Sequence, residues 1–187
     1  MAIVNSATTG IKKLVYAIMT DEVLETYGAV KSAPPLISIK VAPKVETAKL
    51  YADNQIVETA SSVGDIAIDI ETQDMPLEVQ ADFLGHALDP ITGTMAYNIN
   101  DIAPYLAIGY QRTKGNGKNR YVWLLKAKFE EISEEGKTNE GKVTFQTPKL
   151  TGLAIANLSG DWKSVADEDS GTTPATAAFL ATVPSAV

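Results

Sequence analysis

Asp65-Ile-Ala-Ile-Asp-Ile-Glu71, followed at once by Asp74-Met-Pro-Leu-Glu-Val-Gln-Ala-Asp-Phe-Leu-Gly-His86, changes its hydrophobic period part-way along. In the first half Ile66, Ile68 and Ile70 fall on one side and Asp65, Asp69 and Glu71 on the other, the period of a strand with one buried face. In the second half Leu77, Ala81, Leu84 and Leu88 recur at helical spacing. Asp74 is a candidate cap, Pro76 falls in the first turn where its missing N–H costs nothing, and Gly85 weakens the end. One α-helix over about residues 74–87 is predicted. Val79 and Phe83 project roughly opposite the Leu77 stripe, so the helix has apolar groups on two sides and needs a second partner.

Elsewhere the chain reads as strands and turns. Leu14, Tyr16 and Ile18 alternate within Lys12–Thr20, and Ile37, Ile39 and Val41 within Leu36–Val41. Asp21–Pro35 carries Gly28 and Pro34-Pro35 and reads as a loop. Two extended runs flank Ala52-Asp53-Asn54, which predicts a hairpin or long excursion. Pro104–Arg112 and Arg120–Ile132 flank Asn116-Gly117, a favoured hairpin dipeptide. Tyr121, Trp123 and Leu125 face one way and Val122 and Leu124 the other, so the first half of that strand is expected to be buried twice. Lys142–Pro148 and Leu150–Ala156 read as a further strand interrupted at Pro148. Residues 1–10 and the Ala/Thr/Ser/Pro-rich residues from 164 to 187 read as arms. The expectation is one mainly β domain, a sandwich or partly closed barrel with one flanking helix.

Composition narrows the chemistry. With 187 residues, no cysteine and one histidine, a disulfide scaffold, a thiolate metal site and a multi-histidine metal site are excluded within one chain. The net charge of −7 opposes tight nucleic-acid binding. No basic region precedes an apolar core at the start, so no signal peptide is expected, and no run reaches membrane-spanning length. His86 ends the helix, where a histidine meets the negative end of the helix dipole. Ser61, Ser62 and Ser133 lack a nucleophile-elbow context. Glu130, Glu131, Glu134 and Glu135, and Asp167-Glu-Asp169, read as solvated acidic surface, and Lys114, Lys118 and Arg120 as cations around a hairpin turn. No catalytic, cofactor-binding or metal-binding constellation emerges.

Leu50-Tyr-Ala-Asp53, Val57-Glu-Thr-Ala60, Gly64-Asp65, Pro76-Leu-Glu-Val-Gln-Ala-Asp-Phe-Leu-Gly-His86, Asn119-Arg-Tyr-Val-Trp-Leu124, Lys128-Phe-Glu-Glu131, Lys142-Val-Thr-Phe-Gln-Thr-Pro148 and Ala166-Asp-Glu-Asp169 occur in this order. Together they resemble the major tail protein (tail tube protein) family of long-tailed, siphovirus-type bacteriophages. The resemblance implies a structural virion protein, not an enzyme, assembled in the host cytoplasm. Hexameric rings would stack around a tape measure protein, between a tail terminator and distal tail or baseplate proteins, leaving a channel for passing genomic DNA without specific binding.

Six chains would carry 6 × −7 = −42 formal charges, and an acidic lumen would repel phosphates. Asp65, Asp69 and Glu71 are the candidate lumen residues, Val79 and Phe83 the candidate subunit interface. Glu46, Tyr51, Asp53, Asn54 and Glu58 are candidates for an inter-ring loop. Rival readings are the tube protein of a contractile tail or type VI-like secretion system, a monomeric β-sandwich adhesin and an acidic hydrolase.

Overall fold

The computed structural model describes residues 6–133, 136, 138, 141, 145–170 and 176–184. Its strands are β1 (Thr8–Asp21), β2 (Thr26–Tyr27), β3 (Lys31–Ser32), β4 (Leu36–Ala52) and β5 (Gln55–Thr72), then helix α1 (Leu77–Leu84). After it come β6 (Ala87–Asp89), β7 (Thr94–Ala96), β8 (Leu106–Lys114), β9 (Asn119–Phe129), β10 (Lys149–Ile155) and β11 (Lys163–Asp167). The chain is mainly β. One antiparallel ladder runs β2-β1-β8-β9-β10-β5-β4, with β3 on β1 and β11 on β9, while β6 and β7 form a separate hairpin. The ladder curls until β1 and β4 approach within 8 Å between Cα atoms. No ladder joins these two strands among the described residues, so the barrel is not closed.

The curl is filled by alternation. Leu14 and Tyr16 of β1, Ile66, Ile68 and Ile70 of β5, Ile108, Leu124 and Phe129 point inward, where α1 adds Val79, Phe83 and Leu84. Phe83 is 1% exposed, edge-on to Tyr16 at 4.9 Å and 5.1 Å from the Phe129 ring. Leu77 is 39% exposed. Val79 and Phe83 are therefore core residues and not a surface kept for a second subunit, while of the opposite stripe Leu84 is buried as expected and Leu77 is not. Periodicity fixes the angle between the stripes but not which stripe faces inward. The large ring fills the concavity, while Leu77 sits in the first turn at its rim. The helix also starts later than expected. Pro76, at φ −55° and ψ 147°, is the residue before its first turn, and the Asp74 carboxylate takes the Met75 N–H instead of capping. Gly85 ends it at φ +81°, and a Cβ there would lie 2.4 Å from the Ile102 carbonyl oxygen.

The start of β9 is buried on both faces, as its double apolar pattern requires. Ala107, Tyr121, Trp123 and Leu125 form a second cluster on the outer face, capped by Leu180 from a 3-10 turn over Ala177–Leu180. The Trp123 indole N–H donates to the Phe179 carbonyl at 2.9 Å. This corrects the reading of residues 164–187 as an arm without a core: β11 pairs with β9, and Leu180 closes a second core. β10 and β11 lie end to end along one edge of β9. The N-terminal arm is likewise shorter than residues 1–10. Thr8–Gly10 already belong to β1, and the Ala7 carbonyl accepts from Gly115 N–H at 2.9 Å. Of the strand expected over Lys142–Pro148, residues 145–148 are not strand, and 142–144 lie outside the described residues.

Candidate functional site

The feature without an internal structural purpose is the outer half of the β4–β5 hairpin. The register continues from Val45↔Val63 through Ala48↔Ala60 to Ala52↔Gln55, and the chain reverses in the two-residue turn Asp53-Asn54. Both turn residues have positive φ, 51° and 60°, the geometry of the tight hairpin turn whose twist matches its strands. Every residue from 44 to 64 is exposed, whichever way its side chain points. At about 3.3 Å per residue the arm extends roughly 26 Å beyond the Val45–Val63 pair. The expected inter-ring residues Glu46, Tyr51, Asp53, Asn54 and Glu58 all lie on it.

Sequence reading missed the arm's apolar content. Val45, Leu50, Tyr51, Ile56, Val57 and Val63 are each about half exposed or more. Val45 faces Val63 at the base, and Tyr51 faces Ile56 near the tip beside a bulge. A two-stranded ribbon with no covered face is marginal in water by itself. The available signal was apolar residues on both extended runs, with no third strand assigned to cover them.

Asp65, Asp69 and Glu71 project from β5 opposite the buried isoleucines, as the alternation predicts. Their neighbours alter the electrostatics. Asp69 lies across from Lys40 at 4.0 Å, and Glu71 is paired in register with Lys149 of β10. Thr147 and Ser38 donate hydrogen bonds to the Glu71 carboxylate at 2.6 and 3.2 Å, which holds its pKa below the usual range. The next row brings Leu153 beside Lys128. This face mixes acids and lysines and is not an acidic wall.

Asp167, Glu168 and Asp169 are not solvated surface either. They clamp the β8–β9 turn. Lys114, almost fully buried, donates to Asp167 and to Asp169, the latter at 2.7 Å. Lys118 reaches Asp169 at 2.9 Å, and the Arg120 Nε–H donates to Asp167 at 2.7 Å. Glu168 accepts from the Asn119 backbone N–H and the Tyr121 hydroxyl. Burial and this carboxylate push the Tyr121 phenol up to about 12. Hydrogen bonds from Lys114, Lys118 and Asn116 hold Asp169 well below the carboxylate range. A carboxylate with a lowered native pKa stabilises the fold above its unfolded pKa, about 3.9, and loses that contribution as pH falls toward the native value. Urea titrations from about pH 5 to pH 2 should show falling stability. Asp169→Asn should be less stable at pH 5 with a flatter acid limb; an unchanged limb would show that the clamp contributes nothing.

His86 is buried, with Nδ1 2.8 Å from Asp101 and Nε2 3.0 Å from Glu131. Burial disfavours its charged form, but the two carboxylates outweigh this and raise its pKa. When protonated, the ring donates from both nitrogens and ties the helix end to two other segments. Glu130 is exposed, while Glu134 and Glu135 lie outside the described residues. A groove of about 480 Å³ is lined by Leu24, Tyr27, Val30, Leu125, Leu158 and Val183 among others. Its carboxylate, Glu25, is occupied by Lys126 at 2.9 Å. Among the described residues no three His, Cys, Asp or Glu side chains are grouped to hold a metal ion. No helix among them is long and apolar enough to cross a membrane.

No protein-family model matches the chain, and no curated protein matches it at a significant level.

Proposed function

We propose that the chain is a self-assembling structural subunit, the tube protein of a long-tailed phage, which forms hexameric rings that stack into the tail tube. The observation that carries this reading is the β4–β5 arm. The domain closes two hydrophobic clusters without it, yet the arm keeps exposed apolar side chains along a two-stranded ribbon. Its 21 residues, 44–64, match the 20–30 per side of a stable protein interface. Exposed apolar surface of that kind marks a site of interaction, and its extent fits another protein chain.

The resemblance supplies the identity of that chain: a copy of the protein in the next ring. The tape measure protein would lie inside, and terminator and distal tail proteins at the two ends. Asp65, Asp69 and Glu71 remain the proposed lumen row, now with a different physical role. Interleaved with Lys40 and Lys149, they offer passing DNA a near-neutral hydrated wall, without a basic patch to hold phosphates. Electron microscopy of the purified protein at high concentration tests the proposal. Hollow tubes or rings with a central channel are the expected result. Persistently monomeric particles under all conditions would overturn it.

A further inference from the structure

The single histidine of the chain stands between two carboxylates from separate segments. Gly85 ends α1 at φ +81°, and the His86 side chain behind it is only 2% exposed. Its Nδ1 meets Asp101, in the loop between β7 and β8, and its Nε2 meets Glu131, just past the end of β9. Tyr97 opens that loop, lays its ring on the imidazole at 4.4 Å between centroids, and donates its hydroxyl to Gln80 of α1 at 3.1 Å. The Ile102 carbonyl lies so close to Gly85 that no side chain fits there. Helix end, loop and strand end therefore converge on one ring.

An ionised carboxylate only accepts hydrogen bonds, and a neutral imidazole has one N–H to give. With an acceptor at each nitrogen, a neutral ring leaves one lone pair aimed at a carboxylate oxygen, in a place that water reaches poorly. The imidazolium satisfies both sides. Asp101 also shapes its own loop: the Oδ2 that meets His86 accepts the Asn98 N–H at 3.1 Å, and the Asp101 N–H donates to the Asn98 carbonyl at 2.9 Å. The other charged groups on the surrounding elements are engaged elsewhere or exposed. On α1, Asp82 accepts from Tyr16 and Lys31, and Glu78 is exposed. Thr92 donates to Asp89 of β6, Thr151 to Glu130, and Lys149 lies in register with Glu71. Among the described residues no Lys or Arg forms an ion pair with Asp101 or Glu131. Burial opposes the charge on the ring, yet the hydrogen bonds to Asp101 and Glu131 carry its pKa above the ordinary value, and the same contact holds Asp101 below its own.

We propose that His86 is a proton-controlled latch, whose imidazolium pins the β7–β8 loop, residues 97–105, to the end of α1 and to the strand end at Glu131. Loss of the ring proton turns one of the two contacts from attraction into repulsion, and the loop is released. The loop carries Ile99 and Ile102, 99% and 76% exposed, so the latch fixes where an apolar piece of surface stands. This is a property of the single chain and holds whether or not copies assemble. Its sign follows from the direction of the shift. A histidine whose folded pKa is raised gives its full stabilisation below the unfolded value, about 6.5, and loses it as pH rises through the folded one. On the acid side the latch lasts until Asp101, whose folded pKa is lowered, takes up a proton. It is closed at mildly acidic pH and opens toward alkaline pH.

Because the chain has one histidine, the imidazole resonances in a proton NMR titration report His86 alone. Their midpoint should lie above the ordinary value of about 6.5. Over the same pH interval, hydrogen exchange of residues 97–105, corrected for the intrinsic change of rate with pH, should quicken about 10-fold or more. β8 and β9 should keep their protection across that interval. Asp101→Asn and Glu131→Gln each remove a carboxylate charge with little change of size. Each should lower the His86 midpoint and move the opening of the loop down the pH scale by the same amount. Should Asp101→Asn loosen the loop at every pH, Glu131→Gln still reads the shift, since the Glu131 side chain is 65% exposed and its replacement leaves the turn at Asn98 intact. A His86 midpoint at or below the ordinary value would overturn the latch. So would loop exchange that fails to follow the His86 titration in the parent and in Glu131→Gln.

Discussion

Replacing residues 47–61 by Asn-Gly should abolish self-assembly while leaving a folded monomer of nearly parental stability. The replacement joins Glu46 to Ser62, a cross-strand pair, through the dipeptide that best fits a two-residue hairpin turn. The shortened β4–β5 hairpin keeps the Val45–Val63 pair and all three isoleucines that enter the core. Only exposed surface is removed, so the stability change should stay within about 1 kcal/mol. The interface loss is of another order. If the arm provides the 20–30 residues of a stable contact, its removal should cost several kcal/mol, about a thousand-fold or more in association. Size-exclusion chromatography with light scattering, beside thermal melting, reads both. Tubes formed normally by the shortened protein would remove the arm from assembly. A shortened protein that fails to fold would instead make the arm part of the monomer's stability.

Much of this architecture could be read from local pattern. The Asp65–Glu71 alternation, the doubly apolar start of β9, Asn116-Gly117 and the reversal at Asp53-Asn54 are decided within a few residues, and each adopts the structure its pattern demands. What local pattern could not give was contact over long sequence separation. Lys114 and its two aspartates are more than 50 positions apart, and nothing near Asp167 reveals that its partners are cations of a distant turn. The Trp123 indole and the Phe179 carbonyl are equally remote. Even so, a doubly buried strand bearing Tyr121 and Trp123 requires a second cover with an acceptor for the indole, and the C-terminal residues were the unassigned material. The arm's surface was half legible. Its charged and turn residues were named, while its apolar residues passed unnoticed because they are scattered among polar ones and follow no single strand face.

Phe83→Asp should unfold the monomer, whereas Leu77→Asp should leave it folded, and the contrast decides which side of the helix belongs to the core. Truncating a buried phenylalanine costs about 3–5 kcal/mol through lost burial and the cavity left behind. Each aromatic contact, with Tyr16 and with Phe129, adds about 0.5–1.5 kcal/mol. Aspartate also places a carboxylate beside rings where no cation lies in contact, so it must either protonate or let water in. The sum approaches the whole stability of a typical domain, about 5–15 kcal/mol. Leu77 is 39% exposed, and an acidic residue in the first helical turn is favoured by the helix dipole, so its replacement should cost less than about 1 kcal/mol. Near-ultraviolet circular dichroism and thermal melting check the pair. A Phe83→Asp protein that melts cooperatively near the parental temperature, yet no longer assembles, would move Phe83 out of the core and back to a contact between subunits. A Leu77→Asp protein that alone fails to fold would reverse both faces of the helix.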